Sequence, residues 1–291
     1  MKWEGNRQSD NVEDRRDESG GSSGGGIGGR HIGIGSVVIA LVASYFLGVN
    51  PMTVLSLLSG GGGSAPSVSQ GPAHGPAAND QKGQFVEIVL ASTEDVWTDI
   101  FTKGGATYKK PKLDLFRGSY PTACGQGEAA MGPFYCPGDQ KVYIDLAFYD
   151  TLKNQLGAPG EFAEAYVIAH EVGHHVQNLL GISDKVDQSR QRASKAQANA
   201  LSVRLELQAD CFAGIWGHFS KDRFQLDQGD IASAMNAAAK IGDDALQRAA
   251  TGQVVPESFT HGTSAQRQHW FDTGYQTGSV KSCDTFSANS L

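Results

Sequence analysis

Apolar side chains recur every three or four residues between positions 161 and 180, a spacing that predicts one long helix with a single buried face. The residues on that face are Phe162, Ala165, Tyr166, Ala169, Val172, Gly173 and Val176. Gly181 follows directly and is typical of a helix C-terminus. A second long helix is predicted over about 187–219, where an uninterrupted apolar run occupies 211–216.

The part of the chain before these helices alternates apolar and polar positions, which is typical of strands. Leu113 and Leu115 share one face of a predicted strand over 112–117. Residues 134–136 and 141–145 predict two strands joined by a Pro-Gly turn. A small, mostly antiparallel sheet followed by a mainly helical body corresponds to the α+β class.

Composition divides the chain of 291 residues into four parts. Residues 1–30 carry few large apolar side chains and a Gly/Ser-rich tract, so we expect a disordered tail. Residues 31–58 are apolar and uncharged, and at a rise of about 1.5 Å per residue they could cross a hydrocarbon core of ~30 Å as one transmembrane helix. Residues 59–84 are rich in Gly and Pro and predict a flexible linker. Residues 85–291 suffice for one folded domain.

The apolar segment over 31–58 has two other interpretations, a cleaved signal peptide and a buried core helix. A long, acid-rich preceding region without an obvious Ala-x-Ala site argues against cleavage, and the low-complexity flanks argue against a core helix. Basic residues precede the segment, and the next one after it is Lys82. The positive-inside rule therefore predicts a single-pass protein of the cytoplasmic (inner) membrane, with its N-terminus in the cytoplasm and its folded domain periplasmic or extracellular.

The cysteines are consistent with a domain outside the cytoplasm. There are four, Cys124, Cys136, Cys211 and Cys283, and all follow the apolar segment. An even number in such a place suggests disulfides, and Cys124 with Cys136 would close a short Gly-rich hairpin. Cys211 would then pair with Cys283. Four cysteines allow three connectivities, and four free thiols are the alternative.

The predicted helix over 161–180 contains the sequence His170-Glu171-Val172-Gly173-His174. Residues four apart share a helix face, so both histidines can point a ring nitrogen at one cation, and Glu171 is carried toward the same space. Neutral imidazoles suit Zn²⁺, and a carboxylate beside the metal can take a proton from water. The motif predicts one catalytic zinc ion with His170 and His174 as ligands and Glu171 as general base, as in zinc peptidases. Ordinary core packing is the alternative.

A third zinc ligand is expected on the second long helix. Glu206 and Asp210 lie four apart there and share a face, within a turn that has few other polar residues. A catalytic zinc site has three protein ligands and one open position, so we assign Glu206 to the metal and Asp210 to the outer N–H of a ligand histidine. The reverse assignment and a solvated acidic face are the alternatives.

Further residues are candidates for binding the reacting peptide. His261 could donate a hydrogen bond to the oxyanion, with Arg267 close behind it in sequence, although a helix-capping histidine and a surface arginine explain the same residues. The strand over 141–145 is the candidate edge on which an extended substrate would lie. His175 points about 100° away from His174 and is interpreted as a packing or supporting residue.

Three segments together resemble one known family, and they read HEVGHH, ELQADCFAGIW and SFTHGTSAQRQHWFDTGY. They are similar to the bacterial neutral zinc metallopeptidases, the YpfJ-like family, and the resemblance covers nearly the whole chain. It implies a zincin-like fold of the gluzincin type, in which a His-Glu-x-x-His helix and a Glu-x-x-x-Asp helix share the metal. In this chain it implies His170, His174 and Glu206 on zinc, Glu171 as base and Asp210 behind the ligands.

The expected function is that of a membrane-anchored zinc peptidase acting on peptide or protein substrates, attached through one N-terminal helix. A zinc hydrolase of a non-protein amide is one alternative. An envelope scaffold or binding protein with a structural or vestigial zinc site is another. The net charge of −7, with no basic block, argues against a nucleic-acid partner.

Overall fold

The computed structural model describes residues 1–18, 74–128, 132–288 and 291. Its strands are β1 (Val12–Asp14), β2 (Lys112–Phe116), β3 (Ser119–Thr122), β4 (Gly125–Glu128), β5 (Phe134–Cys136) and β6 (Lys141–Asp145). Its α-helices are α1 (Gln81–Lys103), α2 (Ala147–Asn154), α3 (Glu161–Leu179), α4 (Ile182–Arg190), α5 (Lys195–Ser220), α6 (Gln228–Lys240), α7 (Asp243–Thr251) and α8 (Ser264–Thr277). These ranges form an α+β fold that is mainly helical, as the sequence predicts.

The main sheet has the order β1-β2-β6-β5. β1 and β6 both run parallel to β2, and only β5 is antiparallel to its neighbour β6. β3 and β4 form a separate antiparallel hairpin. The prediction of a mostly antiparallel sheet is therefore wrong for the main sheet. The turn between β5 and β6 is visible in the sequence, whereas the pairing of β2 with β1 and β6 joins segments far apart in the chain.

Helix α3 occupies almost the predicted range, but the predicted second helix is two helices. α4 ends at Arg190, and α5 begins after Ser194. The Ser194 hydroxyl accepts from the Gln197 amide, and the Gln197 side chain accepts from the Ser194 amide, which is a capping box. Helix α1 begins at Gln81, so residues 81–84 are helical and not linker as predicted.

Residues 1–18 belong to the fold, so the predicted disordered tail is wrong for this part of the chain. β1 pairs with β2, with Val12 opposite Leu113. Trp3 is buried, packs edge-on against Phe85 with ring centroids 5.6 Å apart, and donates to Glu161 at the start of α3. The segment has few apolar residues, and much of its attachment comes from partners elsewhere in the chain that its own composition does not reveal.

Ion pairs complete the attachment of this N-terminal segment. Glu13 is buried and accepts from Lys141 at 2.9 Å and from Lys112. Burial raises the pKa of Glu13, but hydrogen bonds from Lys112, Lys141 and Arg15 outweigh burial and hold this pKa at about 2. Arg15 also reaches Glu18 at 2.6 Å. β1 is therefore held by charged contacts to β2 and β6 as well as by its backbone pairing.

Helices α5 and α8 pack so closely that their backbones touch. A Cβ on Gly274 would lie 1.9 Å from the carbonyl oxygen of Cys211, and a Cβ on Gly214 would lie 2.1 Å from that of Phe271. Only glycine allows this approach. The same packing brings the last part of the chain against the helix that carries Glu206.

The two disulfides predicted from the sequence are confirmed. Cys124 bonds to Cys136, and Cys211 bonds to Cys283. Among the helices of the described ranges, none is both long and apolar enough to cross a bilayer. The predicted anchor over 31–58 lies outside the described residues, as do residues 19–30 and 59–73.

Candidate metal centre and active site

The two motif histidines and Glu206 meet where α3 crosses α5. One ligand atom from each of His170, His174 and Glu206 lies within 4.8 Å of the others. Nε2 of His170 is 3.2 Å from one Glu206 oxygen, and Nε2 of His174 is 3.5 Å from the other. The structure thus brings the three predicted ligands together from two helices.

A glycine within the motif makes this meeting possible. A Cβ on Gly173 would lie 3.0 Å from the carbonyl oxygen of Ala209 and 3.1 Å from its Cα. Glycine therefore lets α3 and α5 approach at the level of the site. Ala209 is three residues beyond Glu206, so the close contact fixes how far that carboxylate reaches toward the histidines.

This donor set fits zinc. Two imidazole nitrogens and one carboxylate oxygen are the protein ligands of several catalytic zinc sites, in which the fourth position stays open. Ligands at about 2.0–2.1 Å from a tetrahedral ion are roughly 3.3 Å from one another, and the 3.2 and 3.5 Å separations match that spacing. Glu206 is largely buried, so a cation would be held away from bulk solvent.

Asp210 supports His170 from behind. It is fully buried and accepts from His170 Nδ1 at 2.8 Å, from the Tyr166 hydroxyl at 2.5 Å and from Arg267 through Nε and Nη2, both at 2.9 Å. These four donors occupy both carboxylate oxygens, so the geometry favours Glu206 over Asp210 beside the metal.

The charges of these groups are strongly coupled. Burial lowers the pKa of His170, but the carboxylates of Asp210 and Glu206 outweigh burial and raise this pKa to about 10. Burial alone would raise the pKa of Glu206, yet the two histidines hold it well below its usual range. A zinc ion would have to displace the imidazole protons, so its binding would release protons and weaken at low pH.

Glu171 lies beside the ligands on the same helix and is also buried. Burial raises the pKa of its carboxyl group, and the charges of His170 and His174 pull this pKa down. A carboxylate that is destabilised by burial accepts a proton more readily than an exposed one, which suits a general base.

His261 lies on the loop between α7 and α8, which folds around Asp243. The Asp243 carboxylate accepts from the backbone amides of Thr260, His261 and Gly262 at 2.6 to 2.9 Å, and from His261 Nδ1 at 3.1 Å. About half of the His261 side chain is exposed. Burial lowers the pKa of His261, but Asp243 and Glu206 outweigh burial and raise it. In the part of the chain that the structure describes, the hydrogen bonds of this ring go through Nδ1, to Asp243 and to the Thr260 hydroxyl.

Comparison with known proteins gives the family. The family model "Putative neutral zinc metallopeptidase" matches residues 1–286. The chain belongs to this family. "Uncharacterized protein YpfJ" of Escherichia coli strain K12 is 51% identical over 291 residues, which is 98% of this chain and 99% of that protein. "Uncharacterized protein Rv2575" of Mycobacterium tuberculosis strain H37Rv is 43% identical over 223 residues, 72% of this chain and 73% of that protein. No solved structure matches.

Within this neutral zinc metallopeptidase fold, sequence reasoning misjudged Arg267 and overlooked two other residues. Arg267 is neither a surface residue nor free to meet an oxyanion, because its buried guanidinium is bound to Asp210 and to the Tyr166 hydroxyl. Asp243 and Gln177 were not singled out at all. Gln177 could have been found from its spacing, since it lies three residues beyond His174 and shares its helix face.

His175 is not directed at the metal centre. Its ring nitrogens meet the carbonyl oxygen of Lys109 at 2.6 Å and the hydroxyl of Tyr135 at 3.0 Å. Burial lowers the pKa of His175 to about 4. This histidine therefore stays neutral and links α3 to the loop before β2 and to β5.

Proposed function

We propose that the protein is a zinc-dependent peptidase with His170, His174 and Glu206 as metal ligands and Glu171 as general base. The observation that carries the proposal is the convergence of three ligand atoms within 4.8 Å, with a buried carboxylate on the same helix beside them. A structural zinc site is closed by four protein ligands. Among the residues that the structure describes, this site offers three ligands, which leaves room for water or substrate.

Hydrolysis needs a nucleophile, a base and a donor to the oxyanion. When bound, zinc supplies a Lewis acid that lowers the pKa of a water molecule in the open position and polarises the scissile carbonyl. Glu171 accepts the proton of the attacking water and passes it to the departing amine. His261, oriented by its hydrogen bond to Asp243, donates a hydrogen bond to the developing oxyanion.

A peptide substrate would bind at a different strand from the predicted one. β6 (Lys141–Asp145) cannot accept an added strand, because β2 and β5 flank it on both sides. Within the described residues β5 is the outer strand on that side of the sheet. Its Tyr135 hydroxyl contacts His175 and accepts a hydrogen bond from the side-chain amide of Asn178 on α3. A peptide adding to β5 would therefore lie next to the helix of the metal centre.

The disulfides indicate an oxidising compartment such as the periplasm. The fold argues against the orientation predicted for a membrane anchor over 31–58. A single crossing there would separate residues 1–18 from residue 74 onward, yet β1 pairs with β2 in one sheet. We propose that the N-terminal segment and the peptidase domain lie on the same side of any membrane.

Substitution of Glu171 tests the peptidase assignment. Glu171→Gln removes the base but keeps the size of the side chain, so the variant is expected to bind one zinc and to lose at least about 100-fold in casein hydrolysis. Glu164→Gln, on the same helix outside the site, serves as the matched control with parental activity. If Glu171→Gln cleaves casein as fast as the parent protein, Glu171 is not the base.

A further inference from the structure

A chain of buried amide groups leads from the metal centre to the second disulfide. It starts at His174, whose Nδ1 lies 2.9 Å from Oε1 of Gln177, three residues further along α3. Gln177 is completely buried, so its polar atoms must find their partners within the protein. The proposed hydrolytic chemistry makes no use of this side chain.

The partners of Gln177 fix which way its amide faces. Its Nε2 donates to the carbonyl oxygen of Leu205 at 2.7 Å and to Oε1 of Gln208 at 3.1 Å, both on α5. A side-chain amide has two N–H donors and one oxygen acceptor. Since both donors are used on α5, the oxygen faces His174, and His174 must be the donor in that contact.

This contact selects one tautomer of His174. A neutral imidazole with its proton on Nδ1 has a free lone pair on Nε2. Nε2 is the atom that lies 3.5 Å from Glu206, on the side of the metal centre. The amide of Gln177 therefore holds His174 in the form that binds a metal through Nε2.

The end of this hydrogen-bonded series nearest the disulfide is also fixed. Gln208 is buried, and its Nε2 donates to the carbonyl oxygen of Cys283 at 2.9 Å, so its own oxygen must face Gln177. Cys283 is fully buried and bonded to Cys211 on α5, three residues beyond Gln208. The disulfide thus places a carbonyl from the C-terminal part of the chain against α5.

We propose that Gln177 is a positioning residue for His174, and that Gln208 and the disulfide-bonded Cys283 hold the amide of Gln177 in the required orientation. This inference rests on the proposed zinc site. It gives the two histidines different supports. His170 donates to the carboxylate of Asp210, whereas His174 donates to a neutral amide whose orientation is set by contacts across α3, α5 and the C-terminal segment.

Two substitutions at one position separate the acceptor role of Gln177 from simple packing. Gln177→Met fills the space but accepts no hydrogen bond from His174, so zinc affinity should fall by about 10–100-fold, the usual cost of losing a partner of a metal-bound histidine. Gln177→Glu still accepts a hydrogen bond from His174 but buries a charge. It should therefore bind zinc more tightly than Gln177→Met, although its melting temperature should be lower than that of Gln177→Met. Zinc affinity is measured by competition with a chelator of known affinity, and folding by circular dichroism.

The tautomer gives a second, spectroscopic readout. In zinc-loaded protein labelled with ¹⁵N-histidine, we expect a slowly exchanging proton on Nδ1 of His174. That resonance should persist in Gln177→Glu and exchange rapidly with water in Gln177→Met. If Gln177→Glu has both a lower zinc affinity and a lower melting temperature than Gln177→Met, zinc affinity simply follows stability. Gln177 then only fills space, and the proposal is overturned.

The roles of Gln208 and of the Cys211–Cys283 disulfide are tested by substitutions away from the metal ligands. Gln208→Met removes one of the two acceptors of the Gln177 amide, so zinc affinity should fall several-fold, less than for Gln177→Met, because Leu205 still holds the amide. Replacing Cys211 and Cys283 by serine should also lower zinc affinity several-fold. The same exchange at Cys124 and Cys136 is the matched control, with parental affinity expected. Parental zinc affinity in both Gln208→Met and the Cys211/Cys283 variant would overturn the claim that Gln208 and Cys283 orient the Gln177 amide.

Failure of this inference and failure of the proposed function give different results. If the parent protein binds no zinc in the competition assay, the metal centre itself is wrong. If the parent binds zinc and Gln177→Met binds it equally well, the metal centre stands and only the role of Gln177 is refuted. Should Gln177→Met not fold, Gln208→Met and the cysteine variants decide.

Discussion

The buried pair of Arg267 and Asp210 allows a sharp test of how the metal centre is supported. Arg267 exposes 2% of its side chain and Asp210 exposes none, and the guanidinium meets both carboxylate oxygens at 2.9 Å. Replacing Arg267 by methionine fills most of the space but leaves a buried carboxylate without its main counter-charge. Breaking such a pair from one side costs about 3–5 kcal/mol.

That free energy converts into a measurable shift in melting temperature. For a domain of 150–250 residues, a loss of 1 kcal/mol lowers the melting temperature by about 2–4 °C, so Arg267→Met should lower it by roughly 6–20 °C. The measurement is thermal unfolding followed by circular dichroism, with chelator present so that differences in zinc binding do not contribute. Arg223→Met is the control, because Arg223 and Asp95 are 2.7 Å apart but 41% and 35% exposed. An exposed pair contributes at most about 1 kcal/mol.

A double substitution shows whether the lost charge is the cause. Asp210→Asn removes the buried negative charge but keeps an acceptor for His170 and Tyr166. The variant with both Asp210→Asn and Arg267→Met should therefore be more stable than Arg267→Met alone. If Arg267→Met melts within 2 °C of the control, or if the double variant is the less stable of the two, the buried ion pair does not stabilise the site as we reason.

Three other predictions test separate parts of the molecule. His261→Ala should keep its zinc content and lower kcat on a peptide substrate by about 10²–10³-fold, because the oxyanion loses a donor, and an unchanged kcat would exclude that role. Gly274→Ala should abolish folding, because its Cβ would lie 1.9 Å from a backbone oxygen. Gly217→Ala is the control and should fold, because its Cβ would lie 3.2 Å from the Tyr275 ring. Soluble yield and circular dichroism measure both outcomes. Epitope tags can be inserted at the exposed Gly5 turn and at the C-terminus. When protease is given access to one side of the membrane only, both tags should be digested or both protected. Digestion of one tag alone would contradict the shared location.

The parts of the site that sequence predicts best are those fixed by local geometry. His170 and His174 share a face because one helical turn separates them, and the same holds for Glu206 and Asp210. Which of the two carboxylates meets the metal is decided by tertiary structure. Arg267, on α8, donates hydrogen bonds to Asp210, and no residue spacing within α5 indicates that contact.

The strand β1 and the orientation of the Gln177 amide escape local sequence reasoning for the same physical reason, although the spacing from His174 could have pointed to Gln177 itself. Each is held by partners distant in sequence, such as β2 for Val12 and Leu205 for Gln177. Local composition reports how much apolar surface a segment carries. It does not report which charges and carbonyl groups another part of the chain will present to it, so a polar segment can be ordered by its partners.

The N-terminal segment shows how such a distant contact changes the cellular interpretation. Basic residues before an apolar stretch predict a cytoplasmic N-terminus when they are free to interact with the membrane surface. Three of these residues have partners in the fold. Arg7 bonds to Glu94 and Asp95, Arg15 bonds to Glu13, and Arg16 bonds to Asp14 and Asp80. We propose that charges neutralised within the folded domain no longer report on orientation. The pairing of β1 with β2 then outweighs the count of basic residues and keeps residues 1–18 on the same side of any membrane as the rest of the fold.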